Sequence, residues 1–365
     1  MFRIEMLPAA HGDCLWIEYG RGADVHRILI DGGPAHTYPL LRERILHLPP
    51  DDRIFELLVV THIDSDHIDG IVRLLQDAEV LNCRFKRIWF NGRAQLDSVP
   101  DRAGLDLGPE QGEYLSLLIN DYDERTGDAA WNRDFPGEFI AVPQPDEDLP
   151  VIDALPGDIK LTLLSPTHKR LLELKDDWDT ALREARLVSG DERRLRRRLE
   201  ESRTLQPMGD VLGDEDGEPD ESEFPAEDDS DSRVGLGDEL GGERNFGSDD
   251  SSANGSSIAL LAEYDGERFL LAGDAWPSVL EASIDRLVGA NKKLSLTGFK
   301  LPHHGSVGNV TDSLLARISC KHYLISTSGA VFRHPHEKAV ELLLSNHNGR
   351  GKPRLHFNYR TTTTE

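Results

Sequence analysis

The stretch from His62 to His67 places two imidazoles and two carboxylates within six residues. It directly follows a short apolar run, 57–60, that reads as a buried strand. Loops at strand ends commonly carry the ligand-binding groups of α/β folds. Imidazole nitrogen and carboxylate oxygen are both ligands for zinc and manganese. The spacing therefore indicates a divalent metal site. The alternative is a polar turn whose charges are only solvated.

Further side chains of the ligand type follow other predicted strands, namely Asp31, Asp274 and the pair His303-His304. Two metal ions ~3.5–4 Å apart can clamp the attacking and leaving oxygens of a phosphoryl displacement. Asp274 could bridge such ions, although its position alone would predict only a carboxylate at the end of a hairpin. The histidine pair could equally form a turn in which one ring is packed. Together these residues predict a two-metal hydrolase site.

These residues need a scaffold that brings distant strand ends together. Apolar or alternating runs predict strands at 2–7, 14–19, 27–31, 57–60, 85–90, 159–164, 257–264, 269–271, 296–301, 322–326 and 355–359. Helical periodicity predicts helices at 36–46, 68–75, 110–122, 277–287, 311–318 and 337–344. Because the candidate ligands come from both halves of the chain, we expect one domain over 1–365, with two sheets covered by helices.

A charged insertion, 169–253, interrupts this pattern. Its first part, 169–203, is helical in pattern and contains Arg193, Arg194, Arg196, Arg197 and Arg198. It reads either as a solvated helix with i,i+4 ion pairs or as a contact for nucleic-acid phosphates.

The second part of the insertion, 209–250, has 17 acidic residues against two arginines, Arg233 and Arg244. The composition of the longer stretch 209–256 predicts disorder or a flexible excursion. The acidic tract could be inert, or it could imitate a polyanion, cover a basic groove and keep the protein inactive. In that case the peptide bonds at Arg233 and Arg244 would be sites at which an activating protease cleaves and releases the acidic tract.

The overall composition constrains the site only weakly. The net charge of −25 is concentrated in the acidic tract, so the remainder is mildly acidic. Cys14, Cys83 and Cys320 form no CxxC pair, which suits a reducing cytosol better than a disulfide framework. No apolar run has the length of a signal peptide core or of a membrane span. We therefore expect a soluble, cytoplasmic protein that does not bind a membrane.

Four motifs in this order resemble the metallo-β-lactamase superfamily: Ile30-Asp31-Gly32-Gly33, the pattern HxDxDH from His62 to His67, Gly273-Asp274, and His303-His304-Gly305-Ser306. The usual second motif is HxHxDH, so Asp64 stands where a histidine is expected, and Asn254 stands where the third-motif histidine is expected. With His334-Pro335-His336, this variant is similar to the hydrolase domain of ComEC-type competence proteins and their stand-alone relatives. The resemblance covers 1–165 and 254–345.

The resemblance implies an αββα sandwich of two mixed sheets flanked by helices, with a binuclear site at the edge of the sheets. Carried over by position, the metal ligands would be His62 and Asp64 for one ion, Asp66 and His67 for the other, Asp274 as a bridge, and either His303 or His304. Asp66 could also orient or deprotonate the water between the ions, and Asp31 would support the metal loop from behind.

Candidates for contacts to substrate are Asn254, Ser256, Ser257, His334 and His336, the last two as donors to a phosphate or as the start of a helix. The turn from His11 to Asp13 matches the family's first turn and is expected to be structural.

The loss of two histidines hardens the donor set, which favours manganese or a mixed site over two zinc ions. It also argues against a β-lactam or glyoxalase-type substrate. Relatives with this signature are associated with the hydrolysis of nucleic acid or phosphodiesters. We therefore expect a two-metal phosphodiesterase and, among phosphodiesterases, a DNase. Its expected substrate is nucleic acid, and its expected partner is an activating protease or an operon partner. One alternative is a small phosphodiester or phosphocholine-type ester as substrate. The other is a degenerate regulatory subunit, because Asp69 stands where the family usually has glycine and Asn254 where it has histidine.

Overall fold

The computed structural model describes residues 1–97, 109–135, 137–184, 188–201, 249, 251–346, 352–361 and 364. Its strands are β1 Phe2–Met6, β2 Leu15–Arg21, β3 Asp24–Ile30, β4 Ile54–Phe55, β5 Leu57–Val59, β6 Arg84–Phe85, β7 Ile88–Trp89, β8 Val151–Ile152, β9 Lys160–Ser165, β10 Ala259–Tyr264, β11 Glu267–Leu271, β12 Leu294–Lys300, β13 Ile318–Ile325 and β14 Arg354–Phe357. Its α-helices are α1 Tyr38–Leu46, α2 Ser65–Asp77, α3 Arg93–Leu96, α4 Pro109–Thr126, α5 His168–Glu184, α6 Glu192–Glu201, α7 Ser252–Gly255, α8 Pro277–Val288, α9 Asp312–Ala316 and α10 Glu337–Asn346.

The strands form two mixed sheets and one small parallel pair. The first sheet has the order β1-β2-β3-β5-β7 and is antiparallel at the β1 side and parallel from β3 to β7. The second has the order β14-β13-β12-β11-β10-β9-β8 and is parallel from β11 to β14. Strands β4 and β6 pair separately.

Alternation along the strands of the first sheet separates two cores. In β2 and β5 the odd-numbered residues, such as Leu15, Ile17 and Val59, join a cluster with the second sheet. Trp16 and Leu58, between them in sequence, pack instead with helices α1, α2, α4 and α5. This period of two is expected for a sheet that is covered on both faces. Helices α8, α9 and α10 contribute to the cluster on the side of the second sheet.

The predicted αββα architecture of two mixed sheets flanked by helices is therefore confirmed. Two local predictions were wrong. The strand 85–90 is split, because Phe85 pairs in the small sheet and stacks on Phe55 while Ile88 enters the first sheet. The helix 311–318 ends at Ala316, because Ile318 already pairs with Leu294 in the second sheet.

Most of the acidic tract, including Arg233 and Arg244, lies outside the described residues, whereas Asp249 lies within them. The prediction of disorder over 209–256 extended too far, since 252–255 form the short helix α7. Within the described part of the chain, no helix is long and apolar enough to cross a membrane.

Candidate metal centre

The predicted ligands meet at one edge of the sandwich. Asp31 follows β3, His62 follows β5, Asp274 follows β11 and His304 follows β12. Parallel strands end on the same side of their sheet, so each sheet delivers two of these residues to the same edge. His67 joins them from the first turn of α2. A backbone hydrogen bond from Ile258 to Thr61, 2.9 Å long, links the loops of the two sheets.

Three histidines in this group use Nδ1 for hydrogen bonds within the protein. His67 donates to Asp31 Oδ2 at 2.8 Å, and His304 donates to the carbonyl oxygen of Ser326 at 2.9 Å. Thr61 donates its hydroxyl proton to Asp31, so its oxygen accepts from His62 Nδ1 at 2.9 Å. With Nδ1 as the donor, each neutral ring presents a bare Nε2, which is the usual arrangement of a metal-binding histidine.

The Nε2 atoms of His62, His67 and His304 are buried and have no hydrogen-bond partner. Nε2 of His67 lies 3.4 Å from Asp274 Oδ2, and Nε2 of His304 lies 3.5 Å from the same oxygen and 3.4 Å from Asp66 Oδ2. Two ligand atoms about 2.1 Å from one ion at a tetrahedral angle would be about 3.4 Å apart. The residues therefore fit a metal site, and His62, His67 and Asp274, and Asp66, His67 and His304, are groups that could hold an ion.

Charge in this cluster is balanced between imidazoles and carboxylates. Burial would lower the pKa of His67 and of His304, but neighbouring carboxylates, Asp274 foremost, outweigh it and raise both values well above normal. Burial would raise the pKa of Asp274, yet His304 and His67 hold it well below normal. A divalent cation could take the place of the imidazole protons, so we expect its binding to release protons.

A buried ion pair lies directly behind this cluster. The amine of Lys300 contacts the Asp13 carboxylate, donates to the carbonyl oxygen of Gly273 at 3.2 Å and lies 3.8 Å from Asp274 Oδ1. Burial opposes the charge of Asp13, but Lys300 and His304 lower its pKa to about 2. Burial likewise opposes the charge of Lys300, whose pKa is nevertheless raised by Asp13 and Asp274. The pair therefore holds the loop that carries Asp274.

Glycines allow the metal loops to approach one another. Gly32 donates to the His67 carbonyl at 2.9 Å, and Gly70 donates to the Gly33 carbonyl at 2.8 Å. A Cβ on Gly70 would lie 2.1 Å from the carbonyl oxygen of Gly32, and one on Gly12 would lie 1.7 Å from that of Asp66. Only a residue without a side chain fits these positions, so the glycines fix where α2 begins relative to Asp31.

The histidine pair is divided between two environments. His304 is buried in the cluster, whereas His303 is outside the groups of possible ligands found among the described residues. His303 is 27% exposed at its side chain, and its Nδ1 lies 3.1 Å from Asn309 Oδ1. The structure thus favours His304 as the ligand.

Two acidic residues near the metal loop differ in placement. Asp64 lies beside the cluster, with its Oδ2 3.3 Å from His62 Nε2. Asp69, which departs from the family pattern, has an electrostatic interaction with Arg73 one helical turn away and is outside the ligand groups found in the described chain. Asp64 is also outside those groups, but its contact with His62 keeps it a candidate ligand.

The candidates in and after α7 lie at different depths. Asn254 lies in α7, and its Nδ2 is 3.5 Å from His303 Nδ1. Ser256 donates to the Ala253 carbonyl at 2.7 Å. Ser257 is fully buried and accepts from the Asp274 backbone at 3.0 Å. Asn254 thus borders the site, whereas the contacts of the two serines are internal.

The residues His334 and His336 border the same site. The ring of His334 lies 5.3 Å from that of His303 and 6.3 Å from that of His304. Burial, followed by His303, lowers the pKa of both His334 and His336. Nδ1 of His336 accepts from the backbone of Val307 at 3.1 Å, and its carbonyl accepts from the first turn of α10. Both readings of this segment, as a site wall and as a helix start, therefore have support.

The arginine-rich helix α6 packs onto α4. Leu195 and Leu199 are buried there. Arg196 makes two hydrogen bonds to Asp121 at 2.7 and 2.8 Å, and Arg198 contacts Glu110. Both of these arginines are thus neutralised by acidic residues of α4, which favours the solvated-helix interpretation for them.

Sequence reasoning missed Lys300, Asn309 and Asp249 as parts of this region, and it read Asp13 as purely structural. For Lys300 a signal was available, because a lysine at the end of a buried apolar strand needs a partner. For Asn309 and Asp249 no motif pointed to the site.

No family model matches the sequence, and no curated protein matches it at a significant level. Among solved structures, a protein from Parabacteroides distasonis, named provisionally as a metal-dependent hydrolase, aligns with 97% of this chain and 100% of its own at 10% identity, with a TM-score of 0.35. The metallo-β-lactamases MIM-2 and GOB-18, the latter from Elizabethkingia meningoseptica, each align with 45% of this chain and 52% of their own. Their identities are 19% and 23%, and their TM-scores 0.22 and 0.21. Similarities this distant carry no argument about function.

Proposed function

We propose that this chain is a metal-dependent phosphodiester hydrolase of the metallo-β-lactamase superfamily, of the ComEC-like kind, and that DNA is its substrate. The observation that carries the proposal is the convergence of the bare Nε2 atoms of His67 and His304 on Asp66 and Asp274 at 3.4–3.7 Å, with His62 in the same group as His67 and Asp274. The order of the motifs along the chain supports the family. The carboxylate-rich donor set supports phosphodiester chemistry over β-lactam hydrolysis.

The ligands divide between two ions. His62, Asp64 and His67 would hold one, and Asp66 and His304 the other. Asp274 suits the bridging position because its Oδ2 lies beside both His67 and His304. The resemblance implied one ion shared by His67 and Asp66, whereas this division assigns them to different ions. The reason is that His67 Nε2 is farther from Asp66, at 3.7 Å, than from Asp274, at 3.4 Å. Nitrogen and oxygen donors in this mixture suit manganese or zinc.

When bound, two such ions supply Lewis acidity toward the phosphate and lower the pKa of water. The protein's own groups set the geometry around them. Asp31 orients His67 and the loop at Thr61, so that the Nε2 atoms point inward without rearrangement. Asp66, 16% exposed at its side chain against 3% for Asp274, is the carboxylate placed to orient a water molecule and accept its proton. His334 and His336 can donate to the oxygens of the substrate.

Degradation of plasmid DNA in manganese, magnesium or zinc tests the proposal, with EDTA and Asp64→Ala as controls. We expect cleavage by the wild type with at least one metal and strong loss in both controls. A wild-type chain that cleaves no DNA with any of the metals, even after removal of 209–248, would contradict the nuclease assignment.

A small phosphodiester is the second candidate substrate. Arg196 and Arg198 are engaged by Asp121 and Glu110, so these two charges are not available to follow a polyanion. Hydrolysis of bis(p-nitrophenyl) phosphate or of a phosphocholine ester without DNA cleavage would favour this candidate. A substoichiometric metal content in the purified protein would instead indicate a regulatory subunit with a degenerate site.

A further inference from the structure

Two asparagine amides and a histidine converge on a single carboxylate oxygen beside the metal centre. Asp249 Oδ2 accepts from Asn309 Nδ2 at 2.7 Å and from Asn254 Nδ2 at 3.0 Å, and it lies 3.3 Å from Nδ1 of His303. These three residues come from α7, from the loop after β12 and from the segment before α9. Preorganised donors around one oxygen are the arrangement that proteins use to bind oxyanions.

We propose that Asn254, His303 and Asn309 form an oxyanion subsite for the phosphate group of the substrate, and that Asp249 occupies this subsite as an internal competitor. The proposal rests on the proposed phosphodiesterase function, and it identifies a binding site and its regulation within the same region. It also gives the acidic tract one defined point of contact, since Asp249 is near the tract's end.

The position of the subsite fits this role. Nδ2 of Asn309 also lies 3.3 Å from the carbonyl oxygen of Asp274, so the subsite borders the residue that we place between the ions. The ring centroids of His303 and His304 are 5.9 Å apart. The Asp249 side chain is 7% exposed and that of His303 is 27% exposed, so the subsite has an open side at His303. An oxyanion bound there would have its neighbouring atoms next to the metal centre.

A purely structural role for Asp249 makes the opposite prediction. Its Oδ1 accepts from the backbone of Ser251 at 3.1 Å, which is a local contact at the start of α7. If Asp249 served only to make this contact, removal of its side chain would loosen Asn254 and weaken the binding of an oxyanion. If Asp249 competes with substrate, its removal leaves the donors free and strengthens binding, because apparent affinity scales with the fraction of open sites.

The test is a calorimetric titration of inorganic phosphate into the metal-loaded full chain, with acetate titrated in parallel. We expect Asp249→Ala to bind phosphate about tenfold more tightly than the wild type, and Asn254→Ala in that background to cancel most of the gain. Asp265→Ala, which removes an acidic side chain that is 64% exposed in a hairpin turn, is the charge control and should leave affinity unchanged. His303→Asn retains a donor near the Nδ1 position and tolerates the positive φ of 46° there, so it should keep the gain.

Unchanged or weaker phosphate binding by Asp249→Ala overturns the proposal, and so does a gain that survives both Asn254→Ala and Asn309→Ala. If Asp249→Ala fails to fold, as judged by circular dichroism, Asp249→Ser, whose shorter side chain lacks the carboxylate, takes its place with the same expectation. Stronger binding of acetate than of phosphate would assign the subsite to carboxylates and contradict the substrate class. Phosphate binding needs no turnover, so a folded chain that shows the predicted affinities but hydrolyses no phosphodiester would reject the proposed function alone.

Discussion

The buried pair of Lys300 and Asp13 offers a quantitative test of how the centre is held together. Lys300→Met removes the cation and keeps most of the side-chain volume. Both side chains are at most 1% exposed, so the Asp13 carboxylate would be left buried with only the imidazole of His304 to offset its charge. Breaking such a pair from one side costs about 3–5 kcal/mol. The carbonyl of Gly273 also loses a hydrogen bond, which adds about 0.5–1.5 kcal/mol.

The assay is urea unfolding at neutral pH in the presence of a chelator, so that bound metal does not contribute to stability. We expect Lys300→Met to lose about 3.5–6.5 kcal/mol of unfolding free energy. The double variant with Asp13→Asn should be more stable than Lys300→Met alone, because it leaves no unpaired charge. Lys338→Met, whose amine is exposed and pairs with Glu341 at 3.3 Å, is the control and should lose less than about 1 kcal/mol. Additive losses for the double variant, within about 0.5 kcal/mol, would refute the reasoning.

Three further predictions concern the metal, the backbone and the substrate. We expect manganese or zinc to raise the melting temperature of the wild type; Asp274→Asn should lower metal content and abolish this rise, whereas Asp265→Asn should leave both unchanged. Equal metal content by mass spectrometry would contradict the bridging role. Gly70→Ala should destabilise the chain by at least about 1–3 kcal/mol in urea unfolding, because its Cβ would lie 2.1 Å from the Gly32 carbonyl oxygen, and wild-type stability would rule out this close approach. Phe332, 40% exposed near the site, could stack on a base, an interaction worth about 1–3 kcal/mol. Phe332→Ala should therefore weaken the binding of single-stranded DNA, measured by fluorescence anisotropy, but leave bis(p-nitrophenyl) phosphate turnover unchanged. Equal losses in both assays would exclude stacking.

The sandwich could be predicted from the sequence because its signals are local. Strands β2, β3 and β5 of the first sheet alternate between two apolar cores, so they are recognisable from period and length alone. Ligand-type residues directly after strands then gave the edge at which Asp31, His62 and Asp274 meet, because strand ends are where such folds place binding groups. The short strands β6 and β7 escaped correct prediction, since which sheet Phe85 joins depends on its packing against Phe55.

The finer organisation of the centre depends on contacts between distant segments. Lys300 and Asp13 are separated by most of the chain, and each alone resembles an ordinary charged residue at a strand end or turn. Asp249 was one of 17 acidic residues in a tract without periodicity, so no local pattern distinguished it from its neighbours. Its role depends on Asn309, 60 residues away, whose amide reaches it only in the folded chain.

The different environments of His303 and His304 follow from the backbone conformation at these residues. Both residues and Gly305 have positive φ values, of 46°, 52° and 87°. Such conformations cost of order 1–3 kcal/mol for a residue with a side chain and persist only where surrounding contacts stabilise them. Here those contacts include hydrogen bonds from His304 to the Ser326 carbonyl and from the His336 backbone to Gly305.

A regular helix or strand could not give two adjacent histidines these two partners, because side chains of neighbouring residues diverge by a fixed angle in either element. In the observed turn, His304 faces Asp66 and Asp274, while His303 faces Asn309 and Asp249. The turn thereby sets the separation between the metal centre and the proposed oxyanion subsite. A substrate phosphate that displaces Asp249 would be positioned by His303 at the moment when its neighbouring atoms reach the ligands of the metal, so binding and alignment would be one event.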